Sequence, residues 1–240
     1  MRGNQKLFCA VAVVAVTVVL LFSAPTTARA FTTNLNEGET INLGTVVTNG
    51  WSVEVGDKIF SDFAFSYNDF GAPDLDLVAS NVTLRALTGN VGFGLEFQEP
   101  LSALNTKTKD INFQYTAMVD PSTNNLISGI YLNITGSHSG AGTGVVNEVA
   151  YSDTFGGTQV AQVGAWLGGT QENSNFLATA LSKVWVSKDV EVSGASGGPT
   201  SSASISKIDQ RFIQIPEPST LLLVGLGLLG VVAVNRKRGS

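Results

Sequence analysis

Ile111-Asn112-Phe113-Gln114-Tyr115-Thr116-Ala117-Met118-Val119 alternates apolar and polar residues for nine positions. Successive side chains of a β-strand point to opposite faces, so this stretch buries Ile111, Phe113, Tyr115, Ala117 and Val119 on one side. The same period runs through Val91 to Phe97, Ile130 to Ile134, and Val184 to Val192 around Trp185 and Asp189. In Lys58–Tyr67 it puts Ile59, Phe63, Phe65 and Tyr67 on one face, opposite Asp62, Ser66 and Asn68. Turn formers separate these runs: Asn49-Gly50, Gly71-Ala72-Pro73, Thr88-Gly89-Asn90, Asp120-Pro121-Ser122, Gly136 to Gly144, Gly156-Gly157 and Gly168-Gly169. Half-buried antiparallel strands with short connections predict an all-β fold of eight to eleven strands, arranged as a two-sheet sandwich or jelly roll. A closed barrel is the alternative. The body shows no amphipathic helix, although Asn175 to Leu181 could give one short helical turn.

Outside this body the composition changes at both ends. Arg2 and Lys6 precede an apolar run from Leu7 to Phe22, and Ala28-Arg29-Ala30 supplies the small residues of a cleavage site before Phe31. This is the pattern of a secretory signal peptide over residues 1–30. Near the C-terminus, Leu221–Val234 has no polar side chain in 14 residues. Such a helix is about 21 Å long, short for a hydrocarbon core of about 30 Å. Ser219 and Thr220 extend it, and Arg236, Lys237 and Arg238 can snorkel to the headgroups. The expected transmembrane helix therefore covers residues 219–236. Both basic ends stay cytoplasmic, and the body, residues 31–215, is translocated.

Pro216 and Pro218 deny helix geometry just ahead of that run and leave Pro216-Glu217-Pro218 extended. A Pro-Glu-Pro tripeptide, a Leu/Gly-rich span and the terminal Arg236-Lys237-Arg238 cluster, in this order, resemble the PEP-CTERM sorting signal of Gram-negative bacteria over residues 216–238. The resemblance implies an exosortase as partner, a membrane transpeptidase that recognises the motif and releases the protein to the cell surface or the medium. Glu217 is then part of a recognition element. Val55 to Phe63, Ile127-Ser128-Gly129, Gly142-Thr143-Gly144 and Val186 to Val190 also resemble a group found among such proteins. That group brings an address and a fold, with no activity attached.

The body holds eight Lys/Arg against eighteen Asp/Glu, a net charge of −10. A basic footprint for nucleic acid is missing, so no nucleic-acid partner is expected. The single cysteine, Cys9, lies in the signal peptide, which leaves the mature body without thiol or disulfide. Catalytic patterns are thin. Gly194-Ala195-Ser196-Gly197-Gly198 has the letters of a nucleophile elbow, but Pro199 and a Ser/Thr run follow where a helix is required. The one histidine, His138, sits among Gly136, Ser137, Ser139 and Gly140 and reads as an exposed loop residue. One His without mature Cys cannot make the usual zinc shell.

Asp69, Asp74 and Asp76 surround Gly71-Ala72-Pro73 and offer oxygen donors of the kind Ca²⁺ takes. Solvated loop charges are the plainer reading, and no cofactor is expected. Trp51, Trp166 and Trp185 with Tyr67, Tyr115, Tyr131 and Tyr151 could supply a sugar-stacking face or fill the core. These features together predict a non-enzymatic surface or matrix protein. It meets the export translocon and signal peptidase, then an exosortase, and it binds exopolysaccharide or serves structurally. The alternatives are a secreted glycoside hydrolase or lyase using two carboxylates, and a permanently anchored single-span membrane protein.

Overall fold

The computed structural model describes residues 31–70, 79–194 and 200–216. The predicted signal peptide, the transmembrane helix and the Arg236-Lys237-Arg238 cluster lie outside the described residues. Among those described, no helix is long and apolar enough to cross a membrane.

Among the described residues thirteen strands form two sheets, more than the eight to eleven expected. One sheet contains β1 (Thr32–Asn34), β3 (Ser52–Val55), β4 (Lys58–Phe70), β7 (Thr108–Val119), β12 (Lys183–Ser193), β9 (Thr143–Tyr151) and β10 (Gln159–Trp166), in that spatial order. The other contains β11 (Glu172–Leu181), β8 (Asn125–Ser139), β13 (Ser202–Pro216), β6 (Phe93–Leu104), β5 (Thr83–Leu87) and β2 (Thr40–Asn42). Pairing is antiparallel except between β1 and β3. Two separate sheets with free edges make a sandwich, and the barrel alternative falls.

The alternation in the sequence is the core. Ile111, Phe113, Tyr115, Ala117 and Val119 are buried, as are Ile130, Leu132 and Ile134, and Val184, Val186, Val190 and Val192. Rings interlock between the sheets. Phe60 lies 5.8 Å from Phe212, and Phe97 lies 5.0 Å from Phe113 and 5.8 Å from Tyr115, within the tilted range such pairs favour.

In β4 the predicted face is only half correct. Ser61 pairs with Thr116 but Ala64 with Gln114, so β4 carries one extra residue there. Asp62 takes a left-handed φ of 56°, and its Oδ2 accepts from the Thr116 hydroxyl at 2.9 Å. An extra residue reverses the side-chain parity of the strand. Phe63, Phe65 and Tyr67 therefore pack on the same side as buried Phe60, and Ile59 falls on the other.

Two further expectations are corrected. Asn175 to Leu181 belongs to strand β11, with Asn175 paired to Ile130 and Phe176 to Gly129. A helix does occur elsewhere, α1 (Leu43–Asn49). The Asn42 side chain caps its N-terminus by accepting from Thr45 N at 3.2 Å, and Gly50 ends it in the left-handed conformation at φ 61°. Leu43 and Val46 bury its inner face.

One edge of the sandwich is closed by side chains. Asn173 Nδ2 donates to Gly164 O at 3.0 Å and Asn175 Nδ2 to Gln162 O at 3.1 Å, joining β11 of one sheet to β10 of the other. Backbone carbonyls that would otherwise be open to a further strand are occupied this way.

Candidate functional site

The outward residues of the seven-stranded sheet are set by register. Across β7, β12, β9 and β10 one rung reads Asp110, Glu191, Val145, Trp166, and the next reads Asn112, Asp189, Asn147, Gly164. A third reads Gln114, Ser187, Val149, Gln162, and a fourth Thr116, Trp185, Tyr151, Gln159. Carboxamides, hydroxyls and acids thus occupy the centre of an open face. Aromatic rings stand at opposite ends of it, because Glu191 and Trp185 are six residues apart on β12, about 20 Å at 3.3 Å per residue.

Trp166 is 46% exposed. Its indole lies against Gly169, where a Cβ would sit 1.9 Å from Nε1, so the ring is seated on bare backbone. Trp185 packs beneath Lys183, whose Nζ is 4.5 Å from the ring centroid. Where the bulge bends β4, a depression of about 370 Å³ opens, lined by Ala64, Phe65, Ser66, Asn112 and Gln114.

The acids of this face act on one another. Partial burial, a hydrogen bond with Asp110, and the charges of Asp110 and Glu191 push the Asp189 carboxyl up to about 6. Asp110 Oδ1 also accepts a long bond from Asn112 Nδ2 at 3.4 Å.

The six-stranded sheet has its own polar rung on its outer face: Thr40, Arg85, Glu96, Asp209, Asn133, Glu172. Glu96 is buried there beneath its neighbours. Arg85 Nη1 lies 3.5 Å from Glu96 Oε1 and Lys207 Nζ 3.7 Å from Oε2, and Gln98 donates to the same carboxylate. Burial raises Glu96, but the bonds from Gln98 and Asp209 and the charges of Lys207 and Arg85 outweigh it and hold the group low. Its partner Asp209 is pushed up to about 6 by burial and by Glu96, against Arg211 and Asn133. This is a compensated cluster.

Trp166, Trp185 and Tyr151 share the outer face of the seven-stranded sheet, while Tyr131 stands on that of the six-stranded one. Tyr115 is core, Tyr67 packs against the core, and Trp51 sits 5.0 Å from the Phe31 ring. Phe31, expected to follow the signal cleavage, is the first described residue; Ala28 and Ala30 lie outside. The Ca²⁺ candidate cannot be assembled from the described residues: Asp69 is on β4 opposite Lys109, and Asp74 and Asp76 lie outside them. Among the described residues no group of three acids, His or Cys could hold a metal.

His138 is in strand β8, paired with Ala203, and not in a loop, because β8 runs on to Ser139. Gly194 follows β12, and residues 195–199 of the elbow-like stretch lie outside the described residues. The register-made pair Asp110 and Asp189 was not singled out from the sequence, and no spacing rule would have found it.

Strand β13 continues to Pro216, which pairs with Asn125 of β8. Glu217 and Pro218 lie outside the described residues.

No curated protein matches the chain. Four solved chains match, among them two weakly similar ones. TmCBM61, solved in complex with β-1,4-galactotriose, is 12% identical with a TM-score of 0.29, covering 65% of this chain and 90% of that one. The enzymatically active domain of bacteriophage CBA120 tailspike protein 4 is 12% identical with a TM-score of 0.28, covering 62% of this chain and 19% of that one. At these scores neither likeness bears on function. The C-terminus is specific: residues 214–238 match the PEP-CTERM protein-sorting motif, so this chain carries a PEP-CTERM sorting signal that begins within the last residues of β13, with export, surface sorting and exosortase processing as the implied route.

Proposed function

We propose that the body is a non-enzymatic glycan-binding domain displayed at the cell surface, with the outer face of its seven-stranded sheet as the binding surface. The observation carrying this reading is the placement of Trp166 and the Trp185–Tyr151 pair at two ends of a field of carboxamides and hydroxyls. Aromatic rings stack on the apolar faces of sugar rings, and amides and hydroxyls match sugar hydroxyls as both donors and acceptors. A body charge of −10 disfavours strongly acidic polymers and points to a neutral polysaccharide. Signal peptidase and exosortase processing deliver the domain, and exopolysaccharide is its ligand there.

Affinity electrophoresis in gels containing a panel of neutral polysaccharides tests this. Wild type is retarded in at least one gel, and Trp166→Ala and Asn147→Ala migrate faster in that gel. Unretarded wild type in every gel, or variants retarded like wild type, overturns the reading.

A second reading, a carboxylate-dependent hydrolase or lyase, takes the Asp189 carboxyl as general acid. Asp110, hydrogen-bonded to it, is too close to be the second carboxylate of a glycosidase pair, which another acid of this face would have to supply. In that case the same polysaccharides lose chain length on incubation, with new reducing ends, and Asp189→Asn stops the loss.

A further inference from the structure

Three strands place polar side chains at positions their patterns reserve for apolar ones. Lys188 lies between Val186 and Val190 on the inner face of β12, Glu148 between Val146 and Ala150 on β9, and Gln210 between Ile208 and Phe212 on β13. All three are 0% exposed. Lys188 and Glu148 are direct cross-strand partners in one sheet, while Gln210 reaches in from the other. Lys188 Nζ donates to Glu148 and, at 2.9 Å, to Gln210 Oε1. Among the described residues Gln210 Nε2 makes only a long bond, to Arg211 O at 3.4 Å. The Phe97 ring covers the ammonium at 5.9 Å, and Glu148 Oε1 and the Tyr115 hydroxyl have no partner among the described residues.

A buried ion pair is a poor way to stabilise a sandwich. Desolvation of both charges offsets their attraction, and apolar residues of similar volume often do better. This environment favours the neutral forms on both sides: burial lowers the Lys188 ammonium and raises the Glu148 carboxyl, and it also raises the Tyr115 hydroxyl well above its usual value. A proton passed from Lys188 to Glu148 leaves a free amine beside a carboxamide and a carboxylic acid. The carbonyl carbon of Gln210 lies only one C=O bond, about 1.2 Å, beyond the oxygen that Lys188 touches.

We propose that Lys188 and Gln210 become joined by an intramolecular isopeptide bond, with Glu148 as the catalytic proton carrier. The Nζ lone pair attacks Cδ of Gln210 while Glu148 hydrogen-bonds the amide. Glu148 then relays a proton from Nζ to Nε2, the Cδ–Nε2 bond breaks, and ammonia leaves. Amine plus primary amide gives secondary amide plus ammonia, without oxidant or cofactor. The reaction gains from being unimolecular in a dry, fixed site. The product ties the two sheets together through β12 and β13.

A neighbouring cluster supplies the contrast. Four residues further along β13, Gln214 accepts from buried Lys58, and Phe93 covers that ammonium at 5.8 Å. The acid there, Asp57, has both oxygens engaged, by Lys58 at 2.5 Å and Asn125 at 2.8 Å, and leaves no oxygen to serve the glutamine. Glu148 keeps Oε1 available.

Intact-mass spectrometry of the full chain, purified under denaturing conditions, decides the matter. The expected mass is one ammonia below that of the sequence with its termini as found, and proteolysis yields a branched peptide joining the Lys188 and Gln210 segments. Glu148→Gln restores the full mass, and Lys58→Arg leaves the ammonia loss in place. A wild-type chain at full mass, or a branch mapped to Lys58 and Gln214, overturns the proposal. Ammonia loss retained in Glu148→Gln overturns the role of Glu148. If that variant proves unfolded by circular dichroism, the wild-type mass and branched peptide still settle the bond.

Discussion

The two outer faces of the sandwich use the same device to opposite ends. Register sets Glu96 and Asp209 directly opposite on one face and brings Asp110 and Asp189 together diagonally across adjacent rungs on the other, and each arrangement pushes one aspartate, Asp209 or Asp189, up to about 6. On the six-stranded sheet, Arg85 and Lys207 flank the partner Glu96, and Arg211 acts on Asp209. On the seven-stranded sheet the groups acting on Asp189 are Asp110 and Glu191, themselves acids. A carboxylate pair with its counter-ions in place is part of the scaffold. A pair raised by further acids stores repulsion that a ligand or a proton can relieve. That is the difference expected between a structural face and the proposed binding face.

The largest expected effect lies on the compensated face. Glu96→Ala removes the group that Arg85, Lys207, Gln98 and Asp209 converge on, and should cost about 3 kcal/mol in urea unfolding. A cost under about 0.5 kcal/mol, the range of neutral surface changes, would mean that this cluster is surface decoration. Next comes binding. Trp166→Ala should weaken polysaccharide affinity about tenfold, or 1.4 kcal/mol, whereas Tyr131→Ala on the opposite face leaves affinity unchanged. The reverse outcome would exchange the roles of the two faces.

The smallest effect is the pH dependence of the acidic pair. A carboxyl raised in the folded state binds its proton more tightly there. Stability is thus lost as pH rises through about 6, toward which Asp189 is pushed, and regained below it. Asp189→Asn should therefore add roughly 0.5 kcal/mol at pH 7.5, allowing for its exposure, about half of that near pH 5, and nothing at about pH 3, below both the folded and the unfolded values. Thermal melts at the three pH values read this directly. An equal gain at all three would show that charge repulsion is not its cause.

Much of the sandwich is legible in the sequence, because one-sided burial writes itself as a two-residue period. Ile111 to Val119 needs no structure to be read. The period fails wherever the backbone adds a residue, as at Asp62, since parity then changes without a compositional signal. Helix α1 escapes notice because its seven residues include Gly44, Thr45, Val46, Val47 and Thr48, poor helix formers held by the Asn42 and Gly50 caps and by burial of Leu43 and Val46. Lys188, Glu148 and Gln210 stand at core positions in plain sight, yet their partners are 40 and 22 residues from Lys188. Asp110 and Asp189 likewise meet only through register. The candidate site is a product of pairing, and a single sequence does not record pairing.

Strand β13 has a mechanical consequence. It is an inner strand of its sheet, bonded on one side to β6 and on the other to β8, and it runs straight into the sorting motif. If the body grips a matrix as proposed while the C-terminus is held, tension enters at Pro216 and is directed along the strand. Two ladders of hydrogen bonds then resist in shear and must yield together, whereas an edge strand pulled sideways would peel one bond at a time. The strand that leads into the sorting motif would then also be the one best placed to bear that load.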